Sequence, residues 1–258
     1  MVLLSLEQAI AQENKKGSFY LYWGWNNSLY STSDIHFSSE NYVFSLHKVK
    51  ATDRQTPFDF STYFNPTIFT IPQYNYRIGY YLSEDYDLSI GMDHMKYVMT
   101  ANQSVTISGE IAQSNTNYNG TYSDEALTLS PDFLTFEHSD GLNYINAEIR
   151  KTKLVSSYKS FKMSQLYGIG FGIVVPKTNA SLLGNERYDE FHLSGYGFNI
   201  VSAMRFDYKK IFIQTELKGG WINMPYIRTT NTPQDIAKQH FFFSQLNVVF
   251  GVFFIDGK

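Results

Sequence analysis

The sequence contains no cysteine, few charged residues and no long hydrophobic run. Without cysteine, the chain can form neither a disulfide nor a thiolate metal site, and it has no cysteine nucleophile. No stretch of about 18 apolar residues occurs, so the sequence predicts no transmembrane helix. Charged residues make up only 17% of the chain and the net charge is -3. The absence of a basic excess therefore argues against nucleic acid as a partner.

Aromatic residues are abundant instead, with 20 Tyr, 21 Phe and 3 Trp in 258 residues. The mean hydropathy is nevertheless slightly negative, at -0.28. A chain that is rich in aromatic residues, short of charge and not hydrophobic on average fits a surface that lies half in lipid and half in water. Membrane β-barrels have this surface, because their outer face is apolar and aromatic while their inner face is polar.

The dominant pattern along the chain is an alternation with period two, the period of a β-strand. Segments of this kind begin at Phe19, Tyr74, Val105, Tyr167 and Ile211. Each is about ten residues long, which is the length of a tilted strand that crosses a bilayer, whereas soluble sandwich strands are typically about 5–6 residues. A soluble lipocalin-like barrel is the alternative, since it also has long alternating strands.

Aromatic residues near the ends of these segments favour the membrane barrel, which carries aromatic girdles at the level of the lipid headgroups. The residues predicted to form these girdles are Trp23, Trp25, Tyr80, Tyr81, Tyr97, Tyr158, Tyr208, Trp221 and Tyr226. We therefore expect an all-β fold, a single antiparallel transmembrane β-barrel in the bacterial outer membrane. The composition, rich in Tyr, Phe and Asn, is similar to that of outer-membrane proteins of the Bacteroidota.

Eleven candidate strands can be drawn, among them 131–139 and 141–154. Bacterial barrels normally have an even number, so we expect about 12 strands, with 10 as the alternative. Residues 1–11 end in a small-x-small site, Ala9-Ile10-Ala11, and are predicted to be the remnant of a signal peptide. Residues 12–258 would then form the barrel. The polar segments 114–130, 176–193 and 222–238 are expected to be surface loops. The last apolar segment runs from Phe241 to Ile255, and its part from Phe250 to Ile255 resembles the C-terminal signal that barrel insertion machinery recognises.

Charged and polar residues on the predicted inner faces carry both signs of charge. They are Arg77, Glu110, Glu148, Arg150, Arg205, Gln214, Glu216 and Lys218. In a narrow barrel such residues pair and fill the lumen. Because general porins use about 16–18 strands, more than this chain easily makes, a diffusion porin is not expected.

One string collects residue types that could hydrolyse an ester: Phe136-Glu-His-Ser-Asp-Gly-Leu-Asn-Tyr144. It resembles the His-x-Ser-Asn region of outer-membrane phospholipases and lipid A deacylases, and that resemblance implies His138, Ser139 and Asp140 as catalytic residues. In those families the His and Ser are two residues apart and share a strand face. Here they are adjacent, so a regular strand would orient them oppositely and put Asp140 on the face of His138. A bulge at Asp140-Gly141 would alter this geometry, and a simple turn is the other interpretation.

A second string, Gly91 to Tyr97, is predicted to have His94 and Lys96 on one strand face and Asp93 and Tyr97 on the other. One histidine with one carboxylate is too few ligands for a metal site, so neither a metal nor a cofactor is expected.

Three functions remain open from the sequence. The first is an accessory or scaffold barrel that binds partners through its loops or rim. The second is a lipid acyl hydrolase with a His/Ser site, and the third is a narrow channel for a small or apolar solute. The expected partners are membrane lipid or lipopolysaccharide and other outer-membrane proteins.

Overall fold

The protein is described by a computed structural model that covers residues 16–65 and 72–254. Residues 1–15, with the expected signal remnant 1–11, lie outside this part, as does Ile255 of the expected insertion signal. The described residues form fourteen strands and one short helix. In chain order they are β1 (Phe19–Tyr30), β2 (Ser33–Ser38), β3 (Tyr42–Val49), β4 (Ala51–Thr52), α1 (Phe60–Tyr63), β5 (Tyr74–Tyr81), β6 (Tyr86–Met99), β7 (Ser104–Ile111), β8 (Gly120–Thr128), β9 (Leu134–Tyr158), β10 (Phe161–Leu182), β11 (Asn185–Phe191), β12 (Gly195–Tyr208), β13 (Ile211–Arg228) and β14 (Ile236–Phe254).

Eight strands pair side by side in the order β1-β5-β6-β9-β10-β12-β13-β14, and β14 pairs back with β1. Every pairing in this ring is antiparallel, and Phe19 of β1 faces Phe254 of β14. The ring is therefore a closed barrel that leaves no open edge along its length. The expected 12 or 10 strands differ from this arrangement, since the described residues have fourteen strands, of which eight close.

The connections between ring strands are short at one end and long at the other. At the first end, β5–β6, β9–β10 and β12–β13 are joined by turns of a few residues, and β1 begins and β14 ends there. At the opposite end, the chain between β1 and β5 contains β2, β3, β4 and α1, and the chain between β6 and β9 contains β7 and β8. This asymmetry is typical of outer-membrane barrels, which have short periplasmic turns and long extracellular loops.

The long connections form a second body of structure that continues the barrel beyond one end. Residues Ile236–Gln239 of β14 lie beyond its pairing with β1 and pair with β2 instead. From there the strands pair in the order β14-β2-β3-β7-β8. The strand β4 pairs with the end of β6, and β11 pairs with the end of β10. We call this part, together with the ends of β6, β9, β10, β13 and β14 that extend beyond the closed ring, the projecting region. The closed eight-stranded ring is the belt region.

The inner and outer faces exchange their chemistry where these two regions meet, and β6 displays the exchange most simply. Its buried face runs from Asp87 and Asp93 to Met95, Tyr97 and Met99. Its outer face runs from the exposed Leu88 and Ile90 to the polar His94 and Lys96. The alternation itself stays in phase, so only the residue types change. The belt region is thus apolar outside and polar inside, and the projecting region is the reverse.

Three segments expected as loops contain strands of the projecting region. The segments 176–193 and 222–238, expected as loops, contain the ends of β10 and β13 together with β11 and the start of β14. The segment 114–130 contains β8. The outer faces of these strands are polar, which gives them the composition of loops. Conversely, the candidate strands at 131–139 and 141–154 are one long strand, β9.

Two members of the predicted aromatic girdles point the other way. Tyr81 and Tyr97 are fully buried on the inner face. Outward aromatics do mark the short-turn end of the belt region: Phe19, Tyr80, Tyr86, Tyr158, Phe161 and Tyr208. Among the described residues, no helix has both the length and the apolar character that a membrane span requires.

Candidate functional site

The lumen of the belt region is filled by one network of buried charged side chains. The carboxylate of Glu148 lies between two guanidinium groups, 3.0 Å from Arg77 and 2.6 Å from Arg150. Arg150 also reaches Glu216 at 2.6 Å, which links the network from β9 across the lumen to β13. The ammonium group of Lys218 lies 2.6 Å from Asp93 and 3.0 Å from Glu148. These six residues give three cations and three anions, so the network is neutral as a unit.

Uncharged side chains complete the hydrogen bonds of this network. The Tyr22 hydroxyl accepts from Arg77 at 3.1 Å and from Arg150 at 3.0 Å, and it donates to Glu216 at 3.1 Å. Asn199 and Asn247 donate to Glu148 and Glu216, both at 2.9 Å. A buried charge is tolerated only when it is paired and hydrogen-bonded, and these partners meet that condition.

Below the network, aromatic residues at the short-turn end pack across the lumen. Tyr20, Tyr81, Phe212 and Phe253 are buried there together. The guanidinium of Arg205 lies over the rings of Phe212 and Phe253, with its central carbon 5.4 and 5.2 Å from the ring centres. An eight-stranded ring is just wide enough for side chains to fill. The belt region is therefore a packed core with charged groups at its centre.

The sequence predicted this lining correctly in all but one case. Seven of the eight expected residues are buried on the inner face: Arg77, Glu148, Arg150, Arg205, Gln214, Glu216 and Lys218. Glu110 is instead exposed, because β7 belongs to the projecting region, where the outer face is the polar one. The prediction for Gly91 to Tyr97 also agrees with the structure, with Asp93 and Tyr97 inside and His94 and Lys96 on the outer face.

His138, one of the three expected catalytic residues, is fully buried in the apolar interior of the projecting region. Its Nδ1 lies 3.0 Å from the Thr178 hydroxyl, and its ring packs against Phe136 and Tyr97. Burial lowers the pKa of His138 to about 3. Its Nε2 is buried and has no hydrogen-bond partner among the described residues. A neutral imidazole in this position stabilises packing and has no water-exposed nucleophile beside it.

Ser139 and Asp140 both lie on the opposite, outer face. The Ser139 hydroxyl donates to Glu137 at 2.7 Å, and the Asp140 carboxylate lies 3.6 Å from the Lys177 ammonium. A bulge at this point, where Gly141 has φ +142°, turns Asp140 outward, so the expectation that Asp140 shares the face of His138 is wrong. The triad that the sequence resemblance implied is therefore not assembled, and a catalytic role for these residues stays a prediction without geometric support.

The loops at the distal end of the projecting region enclose a polar pocket that the sequence did not indicate. Its volume is about 620 Å³. Four connections line it, those of β2–β3, β7–β8, β10–β11 and β13–β14, through residues such as Asn41, Gln113, Asn185 and Thr230. Its carboxylates are Glu40, Glu186 and Asp235. These residues are separated by up to about 200 positions in the chain, so only the fold brings them together.

Within residues 16–65 and 72–254, no group of three or more histidine and acidic side chains is arranged to hold a metal ion. The side chains that line the distal pocket present amide, hydroxyl and carboxylate groups. Such groups bind polar ligands through hydrogen bonds.

No protein-family model and no curated protein matches the chain. Solved structures of similar form are outer-membrane proteins. OprG from Pseudomonas aeruginosa is 11% identical with a TM-score of 0.42, over 95% of this chain and 99% of that one. AlkL in lipid bilayers is 9% identical with a TM-score of 0.41, over 95% and 94%. The outer membrane protease OmpT from Escherichia coli is 7% identical with a TM-score of 0.36, over 94% and 98%. Scores this low show no more than a similar overall form.

Proposed function

We propose that the chain is an outer-membrane barrel of accessory type, sealed in its lumen, which binds a polar partner through its distal loops. The observation that carries this proposal is that apolar and polar residues change faces along single strands such as β6. An apolar outer face with a polar core suits lipid, and a polar outer face with an apolar core suits water. A strand that has the first arrangement along one part and the second along the next fits a barrel that passes from lipid into water.

The height of the apolar belt supports a membrane position. On β14 the outward residues from Phe242 to Phe254 are mostly apolar. This part of the strand is twelve residue steps long. At about 3.3 Å per residue and a tilt of about 40°, this distance corresponds to roughly 30 Å along the barrel axis. The hydrocarbon core of a bilayer is of about the same thickness.

The sealed lumen favours an accessory function over a channel. A solute that crossed the belt region would have to displace the ion pairs around Glu148, which lies between Arg77, Arg150 and Lys218. Separating a buried ion pair costs about 3–5 kcal/mol, because it leaves a charge without a partner. The distal pocket is the more accessible feature, and its amide and hydroxyl groups suit a polar surface of another envelope component.

Site-directed photo-crosslinking in intact cells tests this function. A photo-reactive residue at Asn41 or Asn185 of the distal pocket is expected to yield a discrete adduct with a partner. The same residue at Lys153, on the belt strand β9 near the short turns, serves as the matched control. An adduct that forms equally from Lys153, or no adduct from either distal position, would contradict binding through the loops.

Planar-bilayer recording separates this function from the channel. The intact protein is expected to show no conductance steps, since the ion pairs fill the lumen. Reproducible single-channel steps from the intact protein would favour the narrow channel instead.

A further inference from the structure

A cavity of about 810 Å³ opens on the outer face of β6, β9 and β10, where the belt region meets the projecting region. Its walls differ along the barrel axis. On the belt side they are apolar, with Met92, Ile145 and Val175. On the projecting side they carry Lys96, Lys177 and Asp140, beside the ring of Phe191. The cavity therefore spans the level at which the surface changes from apolar to polar.

Among the residues that line the polar half of the cavity, positive charges outnumber negative ones. Lys96 and Lys177 are its two ammonium groups, and Asp140 is its one carboxylate. The side chain of Lys177 is only 28% exposed and lies 3.6 Å from Asp140. Two carboxylates lie beyond this lining: Glu137 is paired with Arg54 at 2.7 Å. Asp53 accepts hydrogen bonds from Ser28 and Gln73, and its charge also acts on Lys96. An anion placed between the two ammonium groups would be stabilised by both.

The floor of the cavity is held in place by hydrogen bonds. The Asn143 amide nitrogen donates to the Val175 carbonyl at 3.2 Å, which leaves its oxygen 2.8 Å from His94 Nδ1. The His94 ring also stacks on Tyr74, with 4.8 Å between ring centres. The bulge at Gly141 allows this packing, because a Cβ there would lie 2.8 Å from the Asn143 amide and 3.0 Å from His94. The cavity is thus a preformed recess.

We propose that this cavity binds a phosphate-bearing lipid, with the phosphate between Lys96 and Lys177 and an acyl chain along Met92 and Ile145. A lipid has its charged and apolar parts in the same order as the cavity walls, and lysine contributes strongly to binding at charged membrane surfaces. The proposal shares the membrane position with the proposed function but does not depend on the distal pocket. A phospholipid and the lipid A moiety of lipopolysaccharide both have this chemistry.

Native mass spectrometry of the full chain in detergent tests the site. The probes are lipid A, phosphatidylglycerol, dephosphorylated lipid A and inorganic phosphate. The intact protein is expected to retain at least one of the two phosphorylated lipids, and the one retained more strongly identifies the source. Removing both charges in the Lys96→Ala/Lys177→Ala variant is expected to weaken retention roughly tenfold or more, a loss of about 1.4 kcal/mol or more.

The matched control is Lys50→Ala/Lys238→Ala, which removes two exposed charges from the projecting region outside the cavity. This control is expected to retain lipid like the intact protein. The Lys96→Arg/Lys177→Arg variant keeps both charges and is expected to retain most of the binding. Equal loss in the control, equal retention of dephosphorylated lipid A, or binding of inorganic phosphate as strong as that of lipid would each overturn the proposal. Loss of the distal crosslink in these variants is not expected, so the two proposals can fail separately.

Discussion

The belt region and the projecting region share strands but have opposite interiors. In the belt region, ion pairs around Glu148 hold the strands together from within, and apolar residues such as Ile200 face outward. In the projecting region, rings such as Phe37, Phe44 and Phe136 fill the interior. Both regions are built from antiparallel pairs, and strands such as β6 and β14 run through both. With the proposed membrane position, the medium outside each region accounts for the difference. Where lipid surrounds a barrel, burying apolar groups inside gives little advantage, and polar pairing becomes the interaction that specifies the core.

The largest effect is expected from breaking the charge network of the belt region. Glu148→Leu leaves Arg77, Arg150 and Lys218 facing an apolar side chain, since all three contact that carboxylate. Loss of one partner of a buried ion pair costs about 3–5 kcal/mol. Unfolding by urea in detergent micelles or lipid vesicles measures this loss. The surface pair of Arg54 and Glu137 supplies the control, because Glu137→Gln should cost about 1 kcal/mol or less. Equal losses at both sites would remove the distinction.

A loss of about 3 kcal/mol or more is expected when the apolar core of the projecting region loses a ring. Phe37 is fully buried, with its ring centre 5.1 Å from Phe44 and 6.0 Å from Phe136, so Phe37→Ala opens a cavity there. Hydrogen exchange should show faster opening of β2 and β3 while β12 and β13 stay protected. If β12 and β13 lose protection to the same degree, the two regions unfold as one unit.

A charge placed on the outer face sharpens the comparison of the two media. Ile200 is 67% exposed on β12 in the belt region, and Ile200→Arg should cost about 2–4 kcal/mol in a bilayer. The matched variant is Thr106→Arg on the outer face of β7, which should change stability by about 0.5 kcal/mol or less. Folding measurements in lipid vesicles give both values. A similar small cost at Ile200 would argue that this face is in contact with water.

The smallest expected effect is a dependence of stability on pH that arises from His138 in the projecting region. Burial lowers the pKa of His138 to about 3, whereas the unfolded chain has a histidine pKa of about 6.5. Below about pH 6.5 the unfolded state binds a proton that the folded state does not, so this contribution to stability is lost as the pH falls towards about 3. We expect a loss of about 1–2 kcal/mol between about pH 7 and pH 5. The His138→Gln variant should lack that dependence, as measured by urea unfolding across this pH range. A slope unchanged by this substitution would assign the pH dependence to other groups.

The alternation of Phe19 to Trp25, or of Tyr74 to Tyr80, predicted the belt strands because lipid and lumen impose opposite chemistry on adjacent residues. The buried charges were predictable for the same reason, since a charge such as Arg150 or Glu216 within an apolar alternating segment has no position except the lumen. The ion pairs among these buried charges were predictable because a narrow lumen holds the charges close together.

The projecting region was less predictable from the sequence. Its strands alternate too, but their outward residues, such as Lys177 and Asn179, resemble those of loops, so the sequence predicts loops for segments such as 176–193. Glu110 was assigned to the lumen because a period of two does not indicate which face is inside. The bulge at Gly141 moved Asp140 away from His138, and no local pattern specifies such a bulge. Both pockets combine distant segments, and only the strand order brings those together.

Depth-resolved labelling along β6 tests the central claim most directly. The chain has no cysteine, so a single cysteine at Leu88, Ile90, His94 or Lys96 can carry a spin label without background. In lipid vesicles, labels at Leu88 and Ile90 are expected to be more accessible to dissolved oxygen than to a water-soluble nickel chelate. The label at Lys96 should show the reverse, and the crossover should fall near His94. Equal access of the nickel chelate at all four positions would contradict the exchange of media on which the account of both regions depends.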